Sequence, residues 1–127
     1  MTRRAVSTAG APAAVGTYSQ GIVADGFLFC AGQAALDPAT GTLVEGGIEP
    51  ETERVMANLS AVLDAAGASW ADVVKTTIFL VDMADFATVN AIYARFMGDP
   101  PPARSTIGVA ALPKGARIEI EAVARLG

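Results

Sequence analysis

Residues 21–36 read "GIVADGFLFCAGQAAL", two apolar runs interrupted only by Asp25 and Gly26. Both interrupting residues tolerate a left-handed backbone, and a two-residue Asp-Gly loop is among the clearest local signals for a β-hairpin. The second run, "FLFCAGQAAL" (27–36), is apolar at nearly every position instead of alternating. A half-buried strand alternates, so an unbroken apolar run argues for a strand covered on both faces. "TIGVAAL" (106–112) has the same character. The fold question is therefore what covers each side of the sheet.

Working outward, "DPATG" (37–41) is a turn, with Pro and Gly where a turn favours them. "EPETERVMANLSAVLDAAG" (49–67) predicts a helix, since Pro50 suits its first turn and Gly67 its stop. Val55, Met56, Leu59, Val62, Leu63 and Ala66 form its buried stripe. "SWAD" (69–72) has the pattern of a capping box. "VKTTIFLVD" (74–82) is rich in β-branched residues and predicts a strand. "MADFATVNAIYARFMG" (83–98) predicts a second helix, with Phe86, Val89, Asn90, Tyr93, Phe96 and Met97 on one side and Gly98 as its stop.

The chain closes with "RSTIGVAAL" (104–112), a "PKGA" turn (113–116) and "RIEIEAVARL" (117–126). In the last of these, Ile118, Ile120, Ala122 and Ala124 face one way, with Arg117, Glu119, Glu121 and Arg125 opposite. The order hairpin, helix, strand, helix, hairpin predicts one α+β domain over residues 1–127, with both helices on one face of the sheet. The face left bare requires another subunit, so a homo-oligomer is expected.

Composition prunes the chemistry. The 127 residues are 52% apolar and 17% charged, with a net charge of −4, no histidine and one cysteine. Without histidine there is no Ser-His or Cys-His nucleophile and no His-ligated metal. The single cysteine excludes an internal disulfide and fits a reducing compartment. Arginines and lysines are scattered, so there is no cationic stripe for nucleic acid. No apolar run approaches membrane-spanning length, and the start "MTRRAVSTAGAPAAVG" has no apolar signal core, so a cytoplasmic protein is expected.

Among polar residues, Arg104 stands out in "PPPARSTIGV" (100–109), presented by three prolines at the mouth of an uncharged strand. Its planar fork suits bidentate grip of a carboxylate, and a surface pairing with Glu45 or Asp99 is the plainer alternative. Glu119 and Glu121 lie on the polar face of the last strand. One of them, if partly buried, can handle a water molecule; paired with Arg117 or Arg125, it does nothing chemical. Tyr18 is an aromatic anchor or a cleft hydroxyl. Asn90 ties down a neighbour or touches a ligand. Gly32 permits close approach of a ligand or backbone, and Cys30 reads as a buried, inert thiol.

Taken together, these blocks resemble the Rid family of reactive-intermediate imine deaminases, also called YjgF-type proteins. The resemblance covers nearly the whole chain: "APAAVGTYSQGI" (11–22), "FCAGQAALDPATG" (29–41), "AAGASWADVVKTTIFLVDMADFATVN" (65–90) and "PPPARSTIGVAALPKGARIEIEAVA" (100–124). It implies a chorismate-mutase-like α+β fold and a homotrimer with ligand clefts between subunits. It further implies hydrolysis of 2-imino or enamine acids to 2-keto acids and ammonia, with no cofactor and no metal. By the same resemblance, Arg104 and Glu119 are the catalytic pair, and Tyr18, Ala31, Gly32, Asn90 and Thr106 line the substrate site. The chain departs from the family pattern at Ala31 (often Ser), Thr106 (Cys in the best-studied branch) and Thr17 (usually Pro). A narrower aminoacrylate- or aminomuconate-type deaminase, or a non-enzymatic carboxylate-binding or chaperone-like protein, are the alternatives.

Overall fold

The computed structural model describes residues 2–127. Regular structure begins with a short strand that the sequence pattern did not announce, β1 (Arg4–Val6), paired antiparallel with β2 (Gly21–Ala24). Three residues are too few to show a period. β2 turns through Asp25 and Gly26, at φ 51° and 77°, into β3 (Phe27–Ala34). The hairpin forms as its turn residues dictate.

Helix α1 (Ile48–Ala65) follows, and its expected stripe is buried, with Val55, Met56, Leu59 and Val62 sealed from solvent. Gly67, at φ 78°, ends it as expected. Ser69 and Asp72 form the predicted capping box around a single helical turn, Trp70–Asp72, where the Ser69 N–H donates to the Asp72 carboxylate at 2.8 Å. β4 (Val73–Leu80) comes next.

The second helix is shorter than its apolar pattern. Asp82 accepts from the Ala84 N–H and starts a separate tight turn, Met83–Asp85, and α2 proper spans Phe86–Ala94. Beyond Ala94 the bonds tighten to three-residue spacing at Arg95, Phe96 and Met97. The helix winds down there, ahead of Pro100–Pro102, which cannot donate to continue it. Phe96 and Met97 therefore pack from outside the helix.

β5 (Ala103–Gly108) and β6 (Ile118–Arg125) complete one six-stranded sheet in the order β1-β2-β3-β6-β4-β5. This corrects the closing hairpin expected from sequence: β5 and β6 are not partners. The crossover through α2 sets β5 parallel to β4 at the sheet edge, and β6 inserts antiparallel between β3 and β4. Turn signals between the two runs mark a reversal of direction without saying which strand lies alongside.

Both helices pack on one face, as expected. Leu28, Ile78, Leu80, Ile118 and Ile120 reach up from the sheet into a shared core with α1 and α2, all fully buried. Among the described residues, no helix is long and apolar enough to cross a membrane.

Candidate active site

Arg104 is the second residue of β5. In register with Thr76, it points to the same side of the sheet, the side that carries the helices. Thr76 Oγ1 lies 2.7 Å from the Tyr93 hydroxyl, which fixes that side. Arg104 Nη1 donates to Asn90 Oδ1 at 2.7 Å, and its guanidinium carbon stands 5.1 Å from the Tyr93 ring centre and 5.2 Å from that of Phe86. Asn90 thus faces the arginine from α2. Beside them opens a cleft of about 500 Å³, bounded by Tyr93, Met97, Pro101 and Pro102 as well.

The plainer alternative for Arg104 fails. Among the described residues no carboxylate lies within ion-pair distance of it, neither Glu45 nor Asp99. Its charge is held by an amide oxygen and two aromatic rings, which leaves part of its donor fork open to an anion. Thr106, two residues on, shares this side of the strand, in register with Ile78.

Glu119 occupies the other face. Its strand neighbours Ile118 and Ile120 are buried under the helices, so Glu119 points away from them, between Ala34 of β3 and Phe79 of β4. Partial burial raises its pKa above the ordinary carboxylate value, with the Glu121 charge adding to the effect. Gly32 explains how the carboxylate fits. Register slips between Cys30 and Gln33, and a Cβ at Gly32 would collide with the Glu119 carboxyl group. The glycine makes room for the acid, and Ala31 lies half-buried beside it.

The alternative in which these glutamates pair with Arg117 or Arg125 finds no ion pair among the described residues. Arg117 goes to the buried Glu51, which accepts its backbone N–H at 2.9 Å and lies 3.9 Å from its Nε. Arg125 stacks over the Phe27 ring at 5.7 Å. Tyr18 is exposed and borders a separate groove with Arg3, Thr17 and Ile22. Cys30 is buried, and desolvation pushes its thiol up to about 12, so it stays protonated and unreactive.

One chain therefore brings Arg104, Asn90 and Thr106 together on the helix side. It brings Gly32, Ala31 and Glu119 together on the opposite side, and it holds Tyr18 apart from both. Among the described residues, no cluster of His, Cys, Asp or Glu is arranged to hold a metal.

Two supporting residues escaped the sequence reading. Gln20, nearly sealed from solvent, accepts from the Thr8 N–H and donates to the carbonyls of Thr8, Ala11 and Pro12, and so fastens the loop that carries Tyr18. Asn58, fully buried in α1, donates to the carbonyls of Ala34 and Leu36 and anchors the end of β3. The signal for Asn58 was present: an amide set inside the apolar stripe between Val55 and Val62.

The chain is similar to known proteins over nearly its whole length. Residues 8–126 match the model of the family described as endoribonuclease L-PSP. A RutC family protein of Synechocystis is 54% identical, over 99% of this chain and 98% of its own. The human 2-iminobutanoate/2-iminopropanoate deaminase is 48% identical, over 100% of this chain and 93% of its own. A solved protein of the Rid family from Yersinia pestis superposes with a TM-score of 0.94 at 44% identity, covering 98% of this chain and all of that one. With the family model spanning nearly its whole length and close full-length relatives on every side, the chain belongs to the Rid family.

Proposed function

We propose that the protein hydrolyses 2-imino acids and their enamine tautomers, such as 2-iminobutyrate and 2-iminopropionate, to 2-keto acids and ammonia. The observation that carries this reading is Arg104: a guanidinium oriented by Asn90 beside an open cleft, with no acidic partner among the described residues. The full-length likeness to the human deaminase supports the same chemistry.

The reaction asks little beyond positioning. Arg104 grips the substrate carboxylate with its fork and so fixes the C=N carbon. Backbone groups near Gly32 and Thr106 orient the nitrogen. Glu119 accepts a proton from water as the oxygen attacks that carbon, giving a tetrahedral carbinolamine. That proton is returned to nitrogen, Glu119 then takes the hydroxyl proton and passes it to the same nitrogen, and as the C–N bond breaks ammonia departs and the carbonyl forms. A carboxylate of raised pKa suits both halves of that shuttle, and such acid–base help is worth about 10²–10⁴-fold.

Arg104 and Glu119 serve one substrate only if two chains contribute, because they lie on opposite faces of one sheet. We therefore infer a homotrimer in which Arg104, Asn90 and Thr106 of one protomer face Glu119, Gly32, Ala31 and Tyr18 of its neighbour. The bare sheet face supports this: Phe29 is 49% exposed and Ile107 44%, large apolar side chains on a surface that solvent does not favour. Subunit packing there gives the doubly apolar strands their second cover. The reducing cytoplasm is the setting we infer, consistent with a lone buried thiol.

RNA cleavage, suggested by the family model's description, finds little here. A net charge of −4 and the absence of histidine leave neither a phosphate-binding stripe nor an imidazole for acid–base work. The test is to generate 2-iminobutyrate in situ with a dehydratase while semicarbazide competes for it. The protein should divert imine to keto acid and free ammonia, Arg104→Ala should abolish that, and Arg104→Lys should recover little. Full activity in Arg104→Ala rejects the assignment.

A further inference from the structure

The arginine of the cleft is held in an unusual way. A guanidinium on a long, freely rotating stem loses much rotamer entropy when it is fixed, and a carboxylate partner is the common means of fixing it. Among the described residues no carboxylate does so here. The guanidinium instead stands within cation–π range of two rings, Tyr93 at 5.1 Å and Phe86 at 5.2 Å, both on α2.

The two rings are anchored differently. Phe86 is half-buried at the start of α2. Tyr93 is 4% exposed, and its hydroxyl is bonded at 2.7 Å to Thr76 Oγ1, which is fully buried on β4, next to Arg104 in register. A buried hydroxyl pair inside an apolar core costs desolvation, and a phenylalanine–valine pair of the same shape would fill that space without the cost. The pair fixes the Tyr93 ring rotationally under the arginine.

We propose that Tyr93, pinned by Thr76, together with Phe86 forms an aromatic seat that positions the Arg104 guanidinium for the substrate carboxylate. The seat lets the arginine keep a fixed orientation without spending its fork on an internal acid, so Asn90 takes one donor and the rest stay available to the ligand. The rings act through Arg104 and touch no reacting atom; they are positioning residues. The proposal rests on the reading of Arg104 as the carboxylate ligand.

Its test measures kcat and KM for 2-iminobutyrate, and inhibition by 2-ketobutyrate, alongside thermal midpoints. Tyr93→Leu should raise KM and the inhibition constant about three- to tenfold with kcat little changed, since the loss is in binding shared by ground and transition states. Tyr93→Phe restores the ring without the hydroxyl. It should recover most of the binding although its melting temperature falls, because the Thr76 hydroxyl loses its partner. Should Tyr93→Leu fail to fold, Phe86→Leu at the less buried ring should raise KM in the same way. Binding that tracks thermal stability instead of the presence of a ring overturns the seat. Arg104→Ala, run in parallel, separates the two readings. If it still binds 2-ketobutyrate as tightly as the wild type by titration calorimetry, the role given to the arginine is wrong. If it destroys binding while both ring-to-leucine variants keep wild-type KM, only the seat is wrong.

Discussion

The two faces of the sheet are built to different rules. On the helix side, Leu28, Ile78, Leu80, Ile118 and Ile120 are fully buried, and the polar groups among them, such as Asn58 and Thr76, all have hydrogen-bond partners. On the other side, Phe29 and Ile107 stand nearly half exposed, and Glu119 sits half-buried at a raised pKa. One face satisfies itself within a single chain. The other leaves apolar area uncovered and a carboxylate in an uncomfortable place, which is what a surface looks like when its remaining contacts come from a second copy.

The sharpest way to break this contrast is to truncate one large side chain on each face. Ile120→Ala opens a cavity in a sealed core and should cost about 2–5 kcal/mol in denaturant unfolding. Phe29→Ala removes a side chain that already meets solvent in the protomer, so the protomer should lose much less. Its effect should appear as weakened assembly, read by light scattering against protein concentration. Equal losses in protomer stability with unchanged assembly would mean that the two faces do not differ as described.

A smaller effect concerns Glu119. Its folded-state pKa is raised, so the fold favours the protonated acid: its stabilising contribution is complete below the ordinary carboxylate pKa and is lost as pH rises through the raised value. Above the raised value the ionised group is therefore a burden on the fold. Glu119→Gln should melt slightly higher than the wild type at pH 7, with the gap closing as pH falls below the ordinary carboxylate range, while imine turnover is lost. The wild-type rate should also fall on the acid side at a pH above that of an ordinary glutamate. A Gln variant that melts lower at pH 7, or that keeps its turnover, removes Glu119 from the role proposed.

How far the sequence carried differs between fold and site, for physical reasons. Local signals were sound: Asp25-Gly26 made its turn, Gly67 stopped α1, and the alternation in β6 gave the correct inward set. Pairing was not local, and the β5–β6 hairpin was the casualty, because the partner of a strand is chosen by the crossover through α2 and not by the turn beside it. The extent of α2 was misread because Phe96 and Met97 continue its apolar spacing after its hydrogen bonding has changed.

For the site, residue types pointed to Arg104 and Glu119, but not to the sheet that lies between them. The collision that reserves Gly32 for the Glu119 carboxylate depends on a slip in register between Cys30 and Gln33, and no composition rule announces such a slip. The partner of Asn90 could not be read from helical spacing either, since Arg104 is fourteen positions away on another element.

The central claim is that each catalytic cleft is completed by two chains, one giving Arg104 and the other Glu119. Co-expression of Arg104→Ala with Glu119→Gln tests it most directly, because each variant alone is inactive while a mixed trimer can pair an intact arginine with an intact glutamate. With random mixing of equal amounts, about a quarter of the clefts regain both groups, so the mixture should recover about a quarter of wild-type imine turnover. Mixed trimers verified by native mass spectrometry that remain as inactive as either parent would contradict the account.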